Sequence, residues 1–135
     1  MQEKTARSLR IAIGGFAVLF GLLTIASGGR ALFGGAEARA AVGAAVPFVL
    51  WFNFLAGFAY VGAGAGLIAG LRWSAPLAAA IAVATLAVFA GFGWHVAAGG
   101  AWEMRTVGAM ILRTLVWAAI ALAAPRLLAG LAPAR

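Results

Sequence analysis

Apolar residues fill four long runs along the chain, separated by short groups of glycine, proline and charged residues. The first run, from Ile11 to about Ser27, is uninterrupted and about 17 residues long, near the lower limit for a spanning helix. Gly28-Gly29-Arg30 predicts its end. A second helix is predicted from Pro47 to Gly70, with Pro47 in the first turn, where its missing N–H leaves nothing unpaired. Arg72-Trp73-Ser74 reads as a tight basic turn. Pro76 opens a third helix that ends near Ala97 at the Gly99-Gly100 break. A fourth runs from about Trp102 to Ala124 and closes at Pro125. The spans are thus expected at about 11–27, 47–70, 76–97 and 102–124.

Between the first two runs lies the longest connector, with Arg30, Gly34-Gly35, Glu37 and Arg39. Its stretch Ala36–Ala45 suits a short helix lying at a membrane interface, interrupted by Gly43. Residues 1–10 carry Lys4, Arg7 and Arg10 and read as a basic, hydrated leader. A secretory signal with Ala36-Glu37-Ala38 as its cleavage site is the competing reading. The apolar core is long for such a signal and the site lies well past its end, so a retained first helix is the better expectation.

Composition strengthens the membrane reading. The chain is 65% hydrophobic and 10% charged over 135 residues, with a mean hydropathy of +1.06. Soluble domains run about 45–50% apolar and about 25% charged. Lipid must therefore be the solvent for most of the surface. The expected fold is all-α, a four-helix transmembrane bundle forming a single integral membrane domain over residues 1–135. A net charge of +7 would point to nucleic acid in a soluble protein. Here no contiguous basic patch exists, and the basic residues mostly flank apolar runs, so nucleic acid is not an expected partner. With the N-terminus inside, six basic residues (Lys4, Arg7, Arg10, Arg72, Arg126, Arg135) lie on the inner side, against Arg30, Arg39 and Arg105 outside. That asymmetry places both termini in the cytoplasm, and a bacterial inner membrane is the expected location. Trp73 at the inner interface and Trp51, Trp94 and Trp102 near the outer one agree with it.

Under this topology the polar side chains of the spans collect on one side. Asn53 sits about two turns, roughly 9 Å, below the outer start of the second helix. His95 lies near the outer end of the third. Trp102, Glu103 and Arg105 mark the outer mouth of the fourth, and Arg113 lies roughly 12 Å deeper than Arg105. Tyr60 is at mid-depth, and the inner half holds almost nothing polar. The pattern predicts a one-sided pocket bounded by Arg113, Asn53, His95, Glu103, Arg105 and Trp102, rather than a pore. Each residue also has a structural reading: His95 as an interfacial histidine with a satisfied hydrogen bond, Asn53 as interhelical glue, Glu103 as a first-turn acid favoured by the helix dipole, Arg113 as a snorkelling side chain.

Chemistry beyond binding finds little support. Cysteine is absent, which removes disulfides, thiol redox chemistry and Cys-ligated metals. With a single histidine, neither bis-histidine haem within one chain nor a histidine metal site can form. Glu3, Glu37 and Glu103 are the only acids, too few for paired-carboxylate catalysis. No catalytic residue, metal site or cofactor is assigned. Gly62, Gly66 and Gly70 repeat every fourth residue, a small-residue face for helix packing within the bundle or between copies of the chain. Gly64-Ala65-Gly66-Leu67-Ile68-Ala69 matches a loose dinucleotide-binding pattern, but in mid-span it opens no helix after a strand.

Arg10-Ile11-Ala12-Ile13-Gly14, leading into an apolar helix with a glycine-rich end, resembles the opening of DoxX-like membrane proteins. Asn53–Gly70, Leu71-Arg72-Trp73 and the alanine-rich helix ending in Phe92-Gly93-Trp94-His95 are similar to that family's second and third helices. Asn53 is the polar residue nearest to where the family usually carries a glutamate. The resemblance implies a small four-helix protein in an accessory role, as a partner of an oxidoreductase or an assembly factor, and implies no activity. The leading expectation is a non-catalytic accessory or assembly protein with an outer-leaflet pocket for a partner subunit or lipophilic ligand. An oligomeric small transporter or channel packed on the glycine faces, and a membrane enzyme using His95, Glu103 and Arg113 on a quinone or lipid, are the alternatives.

Overall fold

On the first helix, α1 (Glu3–Phe33), the buried residues are Arg10, Gly14, Ala17, Gly21, Thr24, Gly28 and Ala31, stepping alternately by four and three. This is the heptad spacing that keeps one seam of a helix against a partner. The partner is α3 (Pro47–Ala69), antiparallel to α1. A Cβ on Gly14 would stand 2.6 Å from the Gly64 carbonyl oxygen, and one on Gly21 would stand 2.7 Å from that of Gly57. No real side chain fits there. The two backbones touch because glycine lets them, and α1 and α3 share the largest helix–helix interface of the bundle.

The computed structural model describes residues 3–129. Over that range the chain is helical, with a short α2 (Ala36–Val42) between α1 and α3, then α4 (Ser74–Ala97) and α5 (Met104–Leu128). The four long helices are long and apolar enough to cross a membrane. Leu23, Leu55, Val83, Leu115 and Leu122 are more than half exposed on their flanks, a surface suited to hydrocarbon and not to water. The chain is an integral membrane helical bundle. Besides α1 on α3, α3 packs on α4 and α4 on α5, while α1 meets α5 only lightly. One core layer gathers Tyr60, Leu67, Ile81, Trp117 and Ile120, and a second, nearer α2, gathers Val46, Val49, Phe92 and Met110.

Three helix ends differ from expectation. Gly28-Gly29-Arg30 does not stop α1. A helical glycine costs about 1 kcal/mol, but Gly28 lies against Phe54, where a Cβ would come within 3.0 Å, and Ala31 beyond it is buried. Packing carries the helix on to Gly34-Gly35, where Gly34 N–H donates to the Arg30 carbonyl and Gly35 takes φ 89°. At the other end the basic leader is helical from Glu3, and Arg10 is buried as the first member of the heptad rather than hydrated. Pro125 does not close α5 at Ala124, because Leu127 and Leu128 bury against the core and hold one more turn despite the lost N–H. The other ends match closely: Pro47 opens α3, Gly70 caps it in the left-handed region (φ 74°), and Ser74 Oγ donates to the Leu71 carbonyl at 2.6 Å. Arg135, counted with the inner basic residues, lies outside the described residues.

Gly62, Gly66 and Gly70 all serve the α3–α4 corner. Gly62 has room for a methyl group beside Leu77, Gly66 receives Trp73 and Ser74, and Gly70 makes the turn. The tight approach of α3 to another helix runs through Gly57 and Gly64 instead.

A candidate headgroup site between helices one, three and five

The α5 helix starts from Glu103, whose extended backbone (φ −119°, ψ 143°) turns its side chain back over the loop after α2. The carboxylate accepts from Ala44 N–H at 2.8 Å, just past Gly43, which takes φ 62°. Two residues on, Arg105 Nη2 donates to the Ala41 carbonyl at 2.8 Å. That carbonyl is among the last of α2, which the helix itself leaves unbonded and partially negative. Glu103 and Arg105 therefore strap α2 and its exit loop across the end of the bundle.

Beneath the strap lies a cavity of about 190 Å³. Thr24, Ser27 and Gly28 of α1, Val49 and Asn53 of α3, and Glu103, Arg105, Thr106 and Arg113 of α5 line it, with Val42 and Val46. Its floor is Arg113. This half-buried side chain makes one long hydrogen bond, Nη1 to the Ala109 carbonyl at 3.4 Å, one turn back along α5. Its guanidinium carbon lies 5.6 Å from the centroid of the Phe20 ring, within cation–π range. Arg113 Nε is buried without a hydrogen-bond partner, and so is Asn53 Oδ1. A donor and an acceptor thus go unpaired in two residues that line one cavity, both atoms sealed from its open space.

Aromatic rings continue inward from the floor. Phe16 stacks on Phe20 at 5.7 Å, Phe20 on Tyr60 at 5.5 Å, and Tyr60 lies 4.8 Å from Trp117. Tyr60 and Trp117 are fully buried, and neither the hydroxyl nor the indole N–H makes a hydrogen bond. Arg113 and Thr85 are the polar neighbours of the Tyr60 hydroxyl, while Thr85 Oγ1 itself donates to the Ile81 carbonyl at 2.7 Å.

The structure brings Asn53, Glu103, Arg105 and Arg113 together and leaves His95 and Trp102 off the cavity wall. His95 Nε2 lies 2.9 Å from the Ala101 carbonyl, its ring edge-on to Phe48, and it braces the α4–α5 turn together with the Gly100 N–H bond to its own carbonyl. Trp102 is exposed beside that turn. Sequence reasoning missed Thr24 and Phe20. Thr24 had a signal, since it is one of only two polar residues on the heptad stripe of α1. Phe20 had none, because one phenylalanine in an apolar run looks like any other.

Among the described residues no group of three or more His, Asp or Glu side chains could hold a metal ion. Glu103 accepts from Ala44 N–H while lining the cavity with Arg113, and the sole histidine lies against the Ala101 carbonyl, off the cavity wall. The cavity presents the charge of Arg113, the Asn53 amide and apolar walls. No protein-family model, curated protein or solved structure matches the chain.

Proposed function

We propose that the chain is a non-catalytic binding protein of a bacterial inner membrane, with both termini in the cytoplasm and the Arg113 cavity opening toward the outer leaflet. In this reading it holds a lipophilic molecule by an acceptor-rich head, in an accessory role toward a membrane partner such as the DoxX-like resemblance implies. The observation that carries the proposal is Arg113: a guanidinium set among membrane helices, against a cavity, with Nε unpaired and Nη1 weakly bonded. Charge in a bundle interior is costly unless something pairs with it. A passage for solutes is less well supported. Past Tyr60 and Trp117 the core closes with Ala63, Leu67, Ile81, Ile120 and Ala124, which offer no polar path to the other end.

Extraction in mild detergent followed by native mass spectrometry tests the reading. The wild-type chain is expected to carry a small-molecule adduct that Arg113→Ala loses. Arg113→Lys should lose most of it, since a lysine keeps the charge but not the planar fork. Equal adduct on wild type and Arg113→Ala, with both variants folded, would contradict the proposal.

A further inference from the structure

A second cavity lies on the same seam. Between α1 and α5, which touch only lightly, a groove of about 400 Å³ is lined by Ala12, Ile13, Phe16, Val116, Ile120 and their neighbours, all of them apolar. The Arg113 cavity is lined from both of these helices as well, by Thr24 of α1 and Arg113 of α5. Thr24 and Phe16 are two turns apart on α1, roughly 12 Å. Phe20 lies between them in sequence, and Arg113 rests on its ring. A charged chamber and an apolar trough thus follow one another along the same pair of helices.

We propose that the occupant is an anionic lipid with a hydroxylated head, its phosphate on Arg113 and its acyl chain in the α1–α5 groove. This rests on the binding role proposed above and names the class of ligand. The sign of the charge follows from bookkeeping at the site. Arginine stays protonated in any protein environment. The one carboxylate on the cavity wall, Glu103, is held by Ala44 N–H, and Arg105 adds a second positive charge at the rim. Two arginines against one carboxylate leave the site with a net positive charge that an anionic ligand balances, and a phosphate oxygen pair matches the guanidinium fork. The hydroxyl follows from Asn53. It lines the cavity, and its Oδ1, sealed there without a donor, can take one from a glycerol-type hydroxyl once the amide turns, whereas a phosphodiester has none to give.

Delipidated chain in a neutral detergent, titrated with phosphatidylglycerol, phosphatidylcholine or free glycerol 3-phosphate and read by native mass spectrometry, tests this. Phosphatidylglycerol should bind about tenfold or more tightly than phosphatidylcholine, whose phosphate is offset by a choline cation that the arginines repel and whose head has no hydroxyl for Asn53. Arg113→Gln should remove most of that preference. Ala119→Phe, at an exposed groove position away from the head, should weaken phosphatidylglycerol by about tenfold, with thermal unfolding verifying the fold. Ala123→Leu offers a second groove filler with the same expected direction. Glycerol 3-phosphate matching the lipid's affinity would mean a free anion is the ligand and would overturn the lipid assignment. Indifference to both groove variants would overturn the acyl-chain placement. An adduct that depends on Arg113 but proves uncharged would overturn the anionic identity while leaving the binding role intact; no Arg113-dependent ligand of any kind would remove both.

Discussion

Arg113 keeps its place without a carboxylate partner because several weaker contacts converge on it. The Phe20 ring faces its guanidinium, Ala109 accepts one N–H, and the helix geometry aims it back toward α2. Phe20→Leu keeps most of the apolar bulk and removes the π-face along with the Phe16 and Tyr60 ring contacts, so it should cost about 1–3 kcal/mol of stability, checked by thermal unfolding in detergent. Tyr60 gives a sharper test. Its hydroxyl is buried without a hydrogen bond, so Tyr60→Phe should leave the melting temperature unchanged or raise it. A clear fall would mean that the hydroxyl holds Arg113 in place. At this scale the sequence was informative where polarity contrasts with its surroundings: Asn53, Glu103, Arg105 and Arg113 all stand out in apolar runs, and they meet at one cavity. His95 and Trp102 stood out equally, yet the His95 ring turns to the Ala101 carbonyl and Trp102 is exposed in the α4–α5 loop. Position along the membrane normal had placed them, but rotation about the helix axis decides what a residue faces.

Between helices, glycine sets how closely two backbones lie. The pairing of Gly14 with Gly64 and Gly21 with Gly57 has a seven-residue period, whereas the repeat visible in the sequence, Gly62-Gly66-Gly70, has a four-residue period and serves the α3–α4 corner. Only the pairing of two distant segments distinguishes them, and a single sequence does not display it. Gly21→Leu should therefore cost several kcal/mol or prevent folding, by forcing the α1–α3 seam apart. Gly15→Ala, with nothing within 4 Å of the added carbon, should be stabilising by about 0.5–1 kcal/mol. Equilibrium unfolding in mixed micelles separates the two. The helix ends show the same limit: local signals placed Pro47 and Gly70 well, while tertiary burial of Ala31, Leu127 and Leu128 overrode the stops at Gly28 and Pro125. The strap across α2 is a further element-scale feature. Glu103→Ala combined with Arg105→Ala should raise hydrogen exchange across residues 36–45, leaving α3 and α4 protected.

At the scale of the whole molecule, the all-helical architecture and its four spans were legible because hydrocarbon imposes both length and composition. The unequal packing around the bundle was not. α1 is joined closely to α3 by glycine, and α5 is carried mainly by α4, so α1 and α5 meet at a loose edge, and both helices contribute walls to both cavities. The proposed orientation makes its own prediction. The chain has no cysteine, so single cysteines can report sidedness. A membrane-impermeant maleimide added to intact cells should label Ala36→Cys and spare Ser8→Cys. The reverse pattern would invert the topology and turn the cavity toward the other leaflet.

The central claim concerns what fills the Arg113 cavity, and a high-resolution map of the chain in phosphatidylglycerol nanodiscs addresses it most directly. The account predicts one continuous density, its head within about 3 Å of Arg113 and Asn53 and its tail running past Phe20 between Phe16 and Val116. A cavity holding only water, with Arg113 swung to the rim and no lipid tail between α1 and α5, would contradict it.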